Sequence, residues 1–161
     1  MADMEHEAVV AVLFKYFDKP NNGVIRGPIK VLGAPYHYNP IGSGNKIAPD
    51  VAICPSIAHV LNPLIDHQGP PPRNANNRPH ARIVCEVGNT QTIFQWNAKC
   101  ELWMHEEYVR CVLGIKLFPK TIMGTTVHRA MIARLWTRVA SAGGVLSQNA
   151  TLARAGVYVM E

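Results

Sequence analysis

No apolar run in the chain approaches the ~20 residues that a membrane-spanning helix needs, so no membrane partner is expected. The first 17 residues carry Asp3, Glu5 and Glu7 where a secretion signal requires a basic end, and an intracellular location is expected. The four cysteines, at 54, 85, 100 and 111, include no CxxC pair and fall in apolar runs. They read as buried free thiols in a reducing compartment, and a cysteine nucleophile, which needs exposure and a base, is disfavoured. There is no Walker loop and no GxGxxG, so nucleotide cofactors are not indicated. The seven histidines form no HExxH and no Cys/His pairing at finger spacing, which speaks against zinc. Asn149-Ala150-Thr151 has the form of a glycosylation sequon, which has no meaning without a secretory route.

What is present is a globular composition. Of 161 residues 48% are hydrophobic and 17% charged, enough for one domain with a real core and unlike a disordered chain. Lysine and arginine number 16 against 11 acids, a formal charge of +5, which mildly favours a polyanionic partner.

Apolar spacings of three and four predict a helix over Met4 to Phe17, with Asp3 as its N-cap and Glu5 and Glu7 in the favourable first turn. Val24 to Leu32 reads as a strand interrupted at Gly27-Pro28, and 33 to 46 as a loop or hairpin. Ile47 to Cys54 reads as the next strand. Residues 55 to 80, rich in Pro and Asn, form a long excursion with one helical turn near Ile57 to Leu64 and a basic far end at Arg73, Arg78, His80 and Arg82. Arg82 to Val87 reads as a strand, Thr92 to Glu107 as a helix with Thr90 as cap, and Val109 to Phe118 as a strand stopped by Pro119. Arg129 to Ala140 is expected to be a helix with Arg134 and Arg138 on its outer side, and Val157 to Met160 a short last strand. His105, Glu106 and Glu107 read as a solvated helix end. Strands followed by a crossover helix and a further strand make a mixed sheet flanked by helices.

Two acids stand out. Asp50 follows Pro49 at the mouth of one strand, and Glu86 sits mid-strand between Cys85 and Val87. A lone carboxylate in a half-buried strand is costly unless something pairs with it. A shared divalent cation would do so, since hard cations take carboxylate oxygens. The plainer alternative has Asp50 capping a turn and Glu86 pairing with a nearby Arg or Lys; the residues alone leave both open.

The stretches Ala48-Pro49-Asp50-Val51-Ala52, Ile83 to Gln91 and Gly114-Ile115-Lys116-Leu117, in a helix–three strands–helix–strand order, resemble the PD-(D/E)XK nuclease superfamily and, more narrowly, the putative restriction endonuclease domain family. The resemblance covers roughly the middle of the chain. It implies an α/β fold: a restriction-endonuclease-like mixed β-sheet flanked by helices, with an α-β-β-β-α-β core, an insertion at 55–80 and a C-terminal helical extension at 120–161. It further implies Asp50 and Glu86 as metal ligands, the Val87 carbonyl as a third, Mg2+ or Mn2+ as cofactor and DNA as partner, and it leaves room for a homodimer. The position where the family has its motif lysine is Gly88. Three residues could stand in: Gln91 to orient a water, Lys99 from the following helix, where the superfamily sometimes places its lysine, and Lys116 from the neighbouring strand. Glu5 or Glu7 could add a further acid, although a helix N-terminus explains both. Gly88 equally suits a module that keeps the fold, binds nucleic acid or protein, and has lost the chemistry.

Overall fold

A computed structural model describes residues 4–24, 27–42, 44–60, 74, 78–123, 125–140, 146–147 and 156–160; for 123, 126, 127 and everything from 139 on, only the backbone is described. The expected N-cap Asp3, Arg73 and most of the excursion lie outside these residues. The described elements are α1 (Met4–Phe17), a 3-10 turn (Lys19–Asn21), β1 (Ile29–Gly33), β2 (His37–Tyr38), β3 (Lys46–Ile47), β4 (Val51–Pro55), β5 (Ile83–Gly88), α2 (Ile93–Met104), β6 (Cys111–Met123), β7 (Thr126–Thr137), β8 (Val139–Ala140), β9 (Leu146–Ser147) and β10 (Gly156–Met160).

Six strands form one mixed sheet in the order β1-β4-β5-β6-β7-β10. β5 and β6 are parallel, joined through α2, and the other neighbours are antiparallel. The parallel pair needs a crossover long enough to carry a helix, and α2 supplies it. β2–β3 and β8–β9 are small separate ribbons.

Alternation along the strands assigns the two faces. Val51, Ile53, Cys85, Val87 and Leu117 pack with Leu13 of α1. Ala52, Cys54, Val84, Val112 and Trp136 pack with Trp96, Cys100 and Trp103 of α2. Glu86 and Lys116 fall on the α2 face by the same parity. α2 begins with a complete capping box, in which Thr92 accepts from the Gln95 N–H and the Gln95 side chain accepts from the Thr92 N–H. The cap is therefore Thr92 and not Thr90.

The largest departure from expectation is Arg129 to Ala140. It is not helical: 126–137 form β7, the second arm of a long hairpin with β6. Ile132, Leu135 and Trp136 fit a helical stripe, while the apolar run 130–133 resuming at 135 and 136 equally fits a strand covered on both faces, and pairing with β6 decides between them. Among the described residues of 120–161, strands stand where the helical extension was expected. Arg134 and Arg138 are not a solvated helix face either. Arg134 donates to Asn97 Oδ1 at 2.9 Å and lies over the Trp96 ring. Arg138 donates to the carbonyls of Met104, Glu106 and Val109, closing the C-terminal end of α2. Pro119 does not stop β6; the ladder slips between Leu117 and Lys120 and resumes. Cys54, Cys85 and Cys100 are buried and Cys111 half-buried, all as free thiols.

α2 packs tightly over Gly114 of the sheet. A Cβ there would stand 2.5 Å from Trp96 Cζ2, 2.7 Å from Trp136 Cζ3 and 2.9 Å from Cys100 Sγ. Gly114→Ala is expected to cost about 1–3 kcal/mol through overpacking, read as a lower urea midpoint with an unchanged denaturant slope.

Candidate functional site

The ladder between β4 and β5 ends abruptly. Its last pair is Val51 opposite Cys85. Continued by one residue, the same register sets Asp50 opposite Glu86. Continued by two, it sets Pro49 opposite Val87. Proline has no N–H, so it cannot serve the Val87 carbonyl. The Val87 N–H is satisfied instead by Asp50, whose Oδ2 accepts it at 2.7 Å. A residue in an antiparallel ladder directs its N–H and C=O to the same neighbour, so the Val87 carbonyl faces the same gap as the Asp50 carboxylate. Pro49 is fully buried here. The Pro-Asp pair thus opens the ladder and leaves the Asp50 carboxylate and the Val87 carbonyl at one gap, with Glu86 the next residue back along β5.

Glu86 is only 2% exposed, and α2 grips it three times. Lys99 Nζ lies 2.7 Å from Oε2. Trp103 Nε1 donates to Oε1 at 2.5 Å, and Trp96 Nε1 donates to the Glu86 carbonyl at 3.4 Å. Spacings of three and four set Trp96, Lys99 and Trp103 on one helix face. Burial nonetheless pushes the Glu86 carboxyl up to about 7; Lys99 pulls it down and the nearby Asp50 charge adds to the rise. Asp50 is more open, with 22% of its side chain exposed, and His6 of α1 places Nε2 3.4 Å from its Oδ1.

The three stand-ins for the motif lysine separate cleanly. Lys99 reaches Glu86. Lys116 does not serve the acids: it is 4% exposed and its ammonium donates to the carbonyls of Asn89 at 2.6 Å, Leu117 at 2.8 Å and Gly88 at 3.4 Å. Burial lowers its pKa. Lys116 instead fastens the turn from β5 into α2. Gln91 is exposed in that turn, and no hydrogen bond joins it to either acid among the described residues. The acids of α1 go elsewhere too. Glu5 pairs with Lys120 and Arg129, and Arg129 also holds the Asn89 side chain. Glu7 pairs with His6.

Gly88 follows from the same packing. A Cβ at this position would stand 2.6 Å from Trp96 Cδ1 and 3.2 Å from Lys116 Cδ. The space that a motif lysine would use is filled by Trp96 and by the stem of Lys116, directly opposite in the parallel register.

Glu106 is not a solvated helix end. It is 2% exposed, with Oε2 3.5 Å from His80 Nε2. His37 lies against His80 with ring centroids 4.4 Å apart and meets Trp103 edge-on. Burial first, then His80, hold His37 down to about 4. The basic end of the excursion belongs to this far region. Arg82 lies four residues before Glu86, about 13 Å along the strand, and donates to the Tyr108 carbonyl.

The two carboxylates and the Val87 carbonyl are hard oxygen donors, the set that suits Mg2+ or Mn2+. They fit such an ion on one observation: the Val87 carbonyl meets Pro49, which has no N–H to give it, where the ladder would continue. Among the described residues no group of three or more His, Cys, Asp or Glu side chains stands ready for a metal, so any site here relies on the main-chain oxygen. His6, Trp103 and Trp96 were hidden in the sequence. The tryptophans fit an apolar stripe and His6 a charged helix start; the readable clue was a Trp-x-x-Lys-x-x-x-Trp run following an acid-bearing strand.

Glu86→Gln tests the burial. The folded chain keeps a proton on Glu86 that the unfolded chain, with an ordinary value of 4.5, has already released. Ionised Glu86 therefore costs stability increasingly as pH climbs from about 4.5 through about 7. Urea midpoints measured from about pH 5 to about pH 8 should show the Gln variant gaining on the parent, by up to about 3 kcal/mol. Gly88→Lys, which places a lysine where the resemblance expects one, is expected to lower stability by about 1–3 kcal/mol through the Trp96 clash; thermal melting checks it.

No family model, no curated protein and no solved structure matches the chain.

Proposed function

We propose that the chain is a metal-dependent phosphodiesterase acting on DNA, with a restriction-endonuclease-like core. The observation that carries the reading is the broken β4–β5 ladder, in which Pro49 frees the Val87 carbonyl beside Asp50 and opposite Glu86. The element order α1, β1, β4, β5, α2, β6 supports it, as does the formal charge of +5. Asp50, Glu86 and the Val87 carbonyl would hold Mg2+ or Mn2+. Such a cation would polarise a scissile phosphate and lower the pKa of an attacking water. The chain's own parts do the rest. Trp103 fixes the orientation of Glu86, and Pro49 and Val87 fix Asp50. Lys99 supplies the positive charge for the developing phosphate charge.

A second reading has its own observation. Both oxygens of Glu86 are occupied by α2, and Gly88 leaves no lysine on β5, as a fold that had kept its shape and lost its chemistry would look. The two readings separate on plasmid DNA with Mg2+ or Mn2+. Catalysis predicts nicking or linearisation that Asp50→Ala and Glu86→Ala each reduce by at least about a hundredfold, about 2.7 kcal/mol of barrier. DNA retention that weakens with salt, without cleavage, marks the binding module.

A further inference from the structure

Lys99 and Trp103 hold the two oxygens of one buried carboxylate, yet they are not equivalent partners. Trp103 is fully buried, wedged between Glu86 and His37. Lys99 keeps 32% of its side chain exposed, so it stands at the edge of the buried cluster on a flexible stem along which its tip can leave. Trp103 gives a neutral N–H, and the oxygen that accepts it retains a second lone pair. Lys99 brings a full charge to the carboxylate that a divalent cation would share. An ammonium and a divalent cation on the same carboxylate repel, and the mobile one yields.

We propose that Lys99 is the resident counter-ion of Glu86 and surrenders it when the oxygen set fills, so that loading the site and freeing Lys99 for a phosphate are one event. The inference rests on the metal-dependent reading above and deepens it. Lys99 is then an exchanging residue and Trp103 a positioning residue, which stays on Oε1 throughout. Linkage makes the effect reciprocal: the factor by which Lys99 weakens cation binding is the factor by which the cation loosens Lys99 from Glu86. Without the cation, the ammonium keeps a buried carboxylate from standing unpaired. With it, the lysine missing from β5 is delivered from α2. Gly88 then needs no replacement on its own strand, because the charge arrives from one layer above.

The test is calorimetric titration of the full chain with Mn2+, comparing wild type, Lys99→Met and Trp103→Phe. Lys99→Met preserves the stem, and Lys99→Gln replaces it if the Met variant does not fold. The expected result is a single Mn2+ site that tightens on the order of tenfold in the lysine variant, within the span usual for coupled sites, and does not tighten in Trp103→Phe. In lysine-labelled protein, the Lys99 Cε resonance should move to the position of a solvent-exposed lysine as Mg2+ saturates. Mn2+ affinity that is equal or weaker in the Lys99 variant, or a Lys99 resonance unmoved at saturating Mg2+, overturns the exchange and leaves the metal reading standing. Absence of Mn2+ binding in wild type and variant alike removes the metal reading itself.

Discussion

Burying the Glu86 carboxylate against α2 is the constraint from which most of this structure follows. A charge so enclosed must be matched at short range, and only the helix that crosses over β5 can reach it. That requirement sets the rotation of α2 about its axis, since Trp96, Lys99 and Trp103 must all face the strand. It also brings the helix near the sheet, where Gly88 and Gly114 are the residues that admit the tryptophan rings. Lys116, displaced from the acids, spends its charge on the carbonyls of the turn that launches α2. Gly88, where the resemblance would put a lysine, is a position that the packing needs empty.

The other acid is governed differently. Asp50 acts as a substitute backbone group, standing in for the acceptor that β4 would have offered to Val87 had its ladder continued. Proline beside it supplies the complementary defect, a missing donor. An acid following a proline at a strand mouth is therefore a device for ending a ladder without wasting its last N–H, while leaving a carbonyl turned into the opening.

Much of this was legible in the sequence where one periodicity dominated. α1 lies over the predicted residues, and β4 and β5 lie within a few residues of their expected ends, because three-four spacing or a short apolar run admitted one interpretation. The pairing of Lys99 with Glu86 was open to inference because a long side chain on α2 could reach the strand. The segment from Arg129 to Ala140 was not legible: its apolar residues suit a helix stripe and a strand buried on both faces alike, and the choice is made by β6, which no local pattern reveals. Glu106 and Arg138 misled for a related reason. Each looks like a solvated charge, and each is recruited by a partner distant in the chain, His80 for one and the open carbonyls of α2 for the other. Long-range satisfaction of polar groups is the information that a linear pattern holds least.

Asp50 is touched from α1 through His6, whereas Glu86 is held from α2 on the reverse face. Each acid is therefore tethered to its own helix. Whatever draws their oxygens onto a common point pulls on both outer layers at once. Occupancy of the gap would then be felt as a change in how tightly the two helices clamp the sheet, a mechanical signature at the backs of both helices, away from the gap itself.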